Sequence, residues 1–138
     1  MRIFVLEDSH SRIVLFKEIF SDPTIDLTIS ADVTEAAVLF SGNYDLILLD
    51  HDLSDAHYQD FSIKEGTGTE FAAFMAASFP PSTGPVVIHS FNPDGSERMF
   101  QALSSAGWTV FKQPFGLVLL EKLEKWTQKE LDIRAKQE

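Results

Sequence analysis

Asp50-His51-Asp52 places an imidazole between two carboxylates, and Glu7-Asp8 supplies a second acidic pair far upstream. A further histidine, His89, runs directly into Ser90, with Asn92 two residues on. Carboxylates of this kind suit a hard divalent cation, which takes one or two of them together with waters and phosphate oxygens. Glu7, Asp8, Asp50 and Asp52 are therefore the expected metal set, for Mg²⁺ or Mn²⁺. Histidine is the side chain that moves protons near neutral pH, so His51 and His89 join Asp50 as candidate catalytic groups. Ser90 and Asn92 offer a hydroxyl and an amide to phosphate oxygens, and the turn they open presents helix N-terminal amides, a seat for an anion. Glu7, Asp8 and Asp50 are expected to share one cation, with divalent metal raising the melting temperature. The two histidines are expected to matter for turnover and not for folding.

What positions these groups is a repeated pattern of short apolar run and helical segment. In "YDLILLDHDLSD" the run Leu46 to Leu49 reads as a buried strand, and it ends in charge with no polar transition. Buried carboxylates are costly unless a cation or hydrogen bonds meet them. Arg2 to Leu6 predicts a first strand ending in Glu7-Asp8, and Ile25 to Ile29 a second. Val86 to His89 predicts the fourth strand and Thr109 to Phe111 the fifth. Helical periodicity covers Ser11 to Phe20, Val33 to Phe40, Thr67 to Ala77, Ser96 to Ala106 and Leu117 to Arg134. Residues 54–66 are less regular and longer than an ordinary strand-to-helix loop of about two to six residues. Five strands alternating with five helices predict a doubly wound α/β fold, a parallel sheet covered on both faces. In such sheets ligands bind along the carboxyl ends of the strands, where all the residues named above fall.

Composition narrows the classes further. The 138 residues predict one domain, residues 1–138, with no internal repeat or linker. There is no cysteine, which excludes disulfides, thiolate metal ligands and a thiol nucleophile. Acidic residues outnumber basic ones 21 to 11, a formal charge of −10, which disfavours non-specific grip on nucleic acid or anionic membrane. No apolar run approaches the ~20 residues a bilayer requires, and "MRIFVLEDS" does not read as a signal peptide; a cytoplasmic protein without a DNA-binding domain is expected. Twelve phenylalanines predict a well-filled aromatic core and an exposed aromatic patch.

Over almost its whole length the chain resembles the receiver domain of bacterial response regulators. "VLEDS" looks like that family's paired acids, Asp50 stands where its phospho-accepting aspartate stands, Ser90 matches its strand-four hydroxyl, and "KQPF" is similar to its Lys-Pro-Phe turn. "LLDHDL" with "VVIHSFNPDGSERM" more closely resembles a divergent group, the cyclic-phosphate-processing receiver-like domains. The resemblance implies a receiver- or flavodoxin-like sheet of order 2-1-3-4-5. It also implies metal-assisted phosphoesterase chemistry on cyclic phosphates of nucleotides or RNA ends. Three departures from an ordinary receiver favour a remodelled site: Gln113 replaces the lysine before the last proline, Asp52 adds an acid, and His51 and His89 have no role there. The family's turn further implies a cis Gln113-Pro114 bond, aiming the Gln113 amide at phosphate.

Plainer readings stand beside these. His89 can be a core histidine, Ser90 a strand-end hydroxyl tying down a loop, and Asn92 a turn former before Pro93. Trp108 and Trp126 fit core or interface, Arg98 and His57 fit solvent, and His10 and Arg12 are lesser candidates. Strict alternation along both strands would put Asp50 and Ser90 on one face and His51 and His89 on the other. Two rival functions remain: a signalling receiver phosphorylated on Asp50 in a phosphorelay, read out by a protein partner at helix four and strand five, or a catalytically silent interaction module.

Overall fold

The computed structural model of the protein describes residues 1–53 and 67–137. The irregular stretch 54–66, His57 included, lies outside the described residues. Among the described residues five strands alternate with five helices: β1 (Arg2–Leu6), α1 (His10–Ile19), β2 (Asp26–Ser30), α2 (Val33–Leu39), β3 (Leu46–Leu49), α3 (Gly68–Ser78), β4 (Val86–Ile88), α4 (Pro93–Ser105), β5 (Val110–Lys112) and α5 (Leu117–Lys136). All strand pairs are parallel, and the order is β2-β1-β3-β4-β5, as expected.

Alternation along the strands builds two cores. Phe4, Leu6, Ile47, Leu49, Val86 and Ile88 face one way, against Ala36, Phe71, Met75, Met99 and Leu103 of α2, α3 and α4. Ile3, Val5, Leu46 and Leu48 face the other way, against Phe16 of α1 and Leu119 and Leu123 of α5. With helices on both faces β3 has no side chain for water, which is why its sequence is an unbroken apolar run. The phenylalanines concentrate in the first core, where Phe4 stacks on Phe71 and meets Phe40 edge-on. Trp108 is buried in that core and Trp126 packs against the second. Phe91 and Phe111 are exposed.

Local chemistry sets the boundaries. Helix α4 begins at Pro93, earlier than the expected Ser96, because Pro fits the first helical turn and Asn92 caps it, its Oδ1 accepting the Gly95 N–H at 2.9 Å. Asp32 caps α2 through the Glu35 N–H. At α3, Glu70 reaches back to accept from both the N–H and the hydroxyl of Thr67. Strands β2 and β5 each sit one residue later than the apolar pattern indicates. Periodicity marks burial, and both are edge strands, where burial is weakest.

Candidate functional site

The sheet register decides which side chains meet. Leu6 pairs with Leu49, and Leu49 with Ile88. One step beyond, the backbone continues in step: Asp50 N–H donates to Leu6 O at 3.0 Å and His89 N–H to Leu49 O at 2.9 Å. Glu7, Asp50 and His89 therefore form one row across three adjacent strand ends, all on the α1 and α5 side. This answers the question that strict alternation left open: His89 shares the face of Asp50. Alternation holds within each strand, but an odd position of β3 pairs with an even one of β4, so numbering parity does not carry across.

The row is buried: Glu7 and His89 are 0% exposed and Asp50 is 4% exposed. One ligand-type atom from each lies within 4.8 Å of the others. His89 Nε2 sits 3.0 Å from Glu7 Oε1. Glu7 Oε2 accepts the backbone N–H groups of Asp8 (3.1 Å) and Ser9 (3.2 Å). Asp50 Oδ1 accepts the His51 N–H at 2.8 Å. His89 is wedged against Phe16 and Phe115, and among the described residues its Nδ1 has no hydrogen-bond partner.

Burial pushes the Asp50 carboxyl up, the neighbouring Glu7 charge and hydrogen bond push it further, and the His51 N–H and Arg12 pull back only partly. The outcome is about 7. Burial pushes Glu7 up too, but the hydrogen bond and charge of His89 with the Ser9 N–H outweigh it and leave Glu7 below its ordinary value. Two carboxylates this close do not both ionise readily, so as pH falls through about 7 the first of them to take up a proton is Asp50.

Arg12 bridges the two carboxylates from the side. Its Nη1 lies 3.5 Å from Glu7 Oε1 and 3.8 Å from Asp50 Oδ2. The guanidinium sits over the rings of Phe115 (4.8 Å) and Phe91 (5.2 Å). The sequence signal for it was only its place in the first turn of the helix that follows the paired acids. Above the row opens a cavity of about 230 Å³, walled by Asp8, Ser9 and Arg12 on one side and Asp52, Ser90 and Phe91 on the other, with Glu7 and Asp50 at its base. The four acids expected to hold metal thus share one cavity, and His89 joins two of them from below.

His51 occupies the opposite face and makes a second group. Its Nδ1 lies 2.8 Å from Asp52 Oδ1 and 3.3 Å from Asn92 Nδ2, and the Asn92 amide also donates to Asp52 Oδ1 at 3.3 Å. A Cβ added to Gly95 would lie 2.5 Å from the His51 ring, so α4 packs directly on the imidazole. A Cβ on Gly68 would lie 2.2 Å from Asp50 O, so α3 starts against the end of β3, where Gly68 N–H bonds His51 O at 2.9 Å. Ser90 Oγ accepts the Asn92 N–H at 3.0 Å, which shapes the turn between β4 and α4.

There is no cis peptide bond among the described residues, so the expected cis Gln113-Pro114 bond is corrected. Gln113 follows β5 in step with His89, its N–H bonding Ile88 O. Its side-chain Oε1 accepts from Lys122 Nζ of α5 at 3.0 Å, away from the cavity. A trans turn leaves the amide on the α5 side of the sheet instead of swinging it toward Asp50. Lys112 points to the α4 face, paired with Glu97 and over Phe100, as alternation requires. Arg98 and His10 are exposed.

A family model described as the cyclic-phosphate processing Receiver domain matches residues 3–105. Among solved structures, the CheY-like response regulator receiver domain protein from Methanospirillum hungatei JF-1 is 20% identical, covering 99% of this chain and 98% of that one, with a TM-score of 0.61. The Mn²⁺-bound form of response regulator Rcp1 is 20% identical over 90% of this chain and 89% of its own, with a TM-score of 0.59. The phosphorylated cyanobacterial phytochrome response regulator RcpA gives 20%, 93%, 89% and 0.57 in the same order. These likenesses establish the receiver fold. No curated protein sequence matches the chain.

Proposed function

The chain belongs to the cyclic-phosphate-processing receiver domain family, and from that premise we propose that it carries out metal-assisted processing of cyclic phosphates on nucleotides or RNA ends. The observation that carries this reading is the buried row Glu7-Asp50-His89, two carboxylates and an imidazole with donor atoms within 4.8 Å of one another.

The donor set fits a divalent cation. Ligands on opposite sides of an octahedral ion at about 2.1 Å lie about 4.2 Å apart, close to the observed spread. A carboxyl held at about 7 by burial and, after that, by its neighbour's charge is a site that gains from a cation in place of its proton. Glu7, Asp50 and His89 would hold the ion, with Asp8 and Asp52 adding charge from the cavity wall. The imidazole inclines the choice between Mg²⁺ and Mn²⁺ toward Mn²⁺. When bound, such an ion polarises a phosphoryl oxygen and lowers the pKa of a coordinated water.

The protein's own groups do the rest. Ser90 and Asn92, at the amino end of α4, bind phosphate oxygens, and Arg12 supplies positive charge at the cavity wall. His51, oriented by Asp52 and Asn92, stands on the far side of Asp50 to hold or pass a proton. His89 fixes the ionised form of Glu7 and so leaves the proton on Asp50. Gln113 serves phosphate only if it leaves Lys122.

Incubation with 2′,3′-cyclic AMP and Mn²⁺ tests the reading. Ring opening to a phosphomonoester is expected from the wild type, with loss in Asp50→Asn and His89→Gln. An inert wild type at millimolar Mn²⁺ would sink it. One observation favours a second reading: Asp50 ends the central strand of a receiver fold and opens on the cavity, as a phospho-accepting aspartate must. Acetyl phosphate would then load one phosphoryl group onto Asp50, seen by mass, and α4 with β5 would carry the signal to a partner protein past exposed Phe111.

A further inference from the structure

We propose that Phe91 is a stacking platform for a nucleobase, so that the ligand of the acid cavity is a nucleoside-borne phosphate and not a bare or sugar-only one. This deepens the function proposed above and rests on it. Among the described residues lining the cavity, Phe91 alone has a purely hydrocarbon side chain; the others are charged or hydroxylic. Phe91 is 62% exposed where it lines the cavity, so a flat apolar face stands open to whatever enters.

Its setting points the same way. Phe91 lies between Ser90 and Asn92, whose side chains build the turn assigned to phosphate. A base on the ring would therefore sit next to the phosphate of the same nucleotide. The ring is also held in place from within. Arg12 lies over it at 5.2 Å and is itself fixed by Phe115 at 4.8 Å and by the Glu7 and Asp50 carboxylates. One face thus meets the guanidinium while most of the ring stays open to solvent. A preorganised aromatic face binds bases with little ordering cost, and it does so without base selectivity because every base has a π-face.

The test compares two probes by calorimetric titration in the presence of Mn²⁺: 2′,3′-cyclic AMP, which has a base, and glycerol 1,2-cyclic phosphate, which does not. A His51→Gln background removes the group assigned to proton transfer and keeps the metal-holding Glu7, Asp50 and His89, so that turnover is suppressed during the titration. The nucleotide is expected to bind more tightly than the base-free probe by roughly 5- to 150-fold, the range one stacked base gives. Phe91→Ala should collapse that ratio toward one, and Phe91→Trp should keep or raise it. Phe91 is exposed, and an unchanged melting temperature verifies that Phe91→Ala folds. If Phe91→Ala retains the ratio, or if the unmodified site binds both probes equally, the stacking role is overturned while the phosphate reading stands. If neither probe binds, both fall together.

Discussion

His89 Nε2 and Glu7 Oε1 lie 3.0 Å apart, both fully buried, although β1 and β4 are separated in the sheet by β3. The pair spans the strand that carries Asp50 and closes the row from beneath. Breaking a buried pair of this kind costs about 3–5 kcal/mol, here toward the lower end because Arg12 still stands 3.5 Å from the Glu7 carboxylate. His89→Ala is expected to lose stability in that range in urea unfolding. The double variant Glu7→Gln/His89→Ala should lose clearly less than the sum of the two single losses. Additive losses would mean the two groups are not coupled. The site thus gives His89 a structural share that its strand-end position did not suggest.

Asp50 makes stability depend on pH in a direction unusual for an aspartate. Its carboxyl is raised from 3.8 to about 7, so the folded protein keeps a proton that the unfolded chain releases. That stabilisation is complete below about 3.8 and is lost as pH rises through about 7. Glu7, lowered from 4.5, acts in the opposite sense, and its contribution is lost as pH falls through the acid range. Between pH 5 and 8 the Asp50 effect governs. The melting temperature of the metal-free protein should fall across that window, and Asp50→Asn should flatten the curve. A wild-type melting temperature that rises steadily from pH 5 to 8 would show the proton to be misplaced.

Divalent metal should remove that dependence by taking the place of the proton. Mn²⁺ at about a hundred times its dissociation constant adds roughly 2.7 kcal/mol, a rise of several degrees for a domain of this size. Its apparent affinity should increase with pH through about 7, because ion and proton compete for Asp50. Glu7→Gln and Asp50→Asn should each abolish the rise. Equal stabilisation of the Asp50→Asn variant would place the ion elsewhere.

How much of this was legible in the sequence depends on the distance over which the relevant physics acts. Leu46 to Leu49 announced a doubly covered strand because burial on two faces writes an unbroken apolar run. Glu7, Asp50 and His89 were identifiable as strand-end groups for the same reason. Which face each would take was not, because that depends on register between strands, and register is fixed by packing of residues far apart in the chain: Leu49 opposite Ile88. Arg12 carried little signal, since its partners Phe91, Phe115 and Asp50 come from three other parts of the chain. Gln113 could not be placed without knowing that Lys122, a turn into α5, competes for its amide.

Gly95 offers a prediction whose sign opposes the usual rule. Replacing a helical glycine by alanine ordinarily stabilises, by up to about 1 kcal/mol, through helix propensity. At Gly95 the added Cβ would meet His51 Cγ and Cδ2 at 2.5 Å and Nδ1 at 2.7 Å. Cγ is the ring atom nearest the backbone, so rotation of the side chain relieves little, and His51 is already tied to Asp52 and Asn92. Overpacking of this degree costs about 1–3 kcal/mol. Gly95→Ala should therefore unfold at lower urea than the wild type. In a His51→Ala background the same substitution should stabilise, because the clash is gone and only the propensity gain remains. A reversal of sign between the two backgrounds isolates the contact between α4 and the imidazole. Stabilisation of the wild type by Gly95→Ala would show that the ring moves aside freely, and with it that Asp52 and Asn92 do not hold His51 in a working orientation.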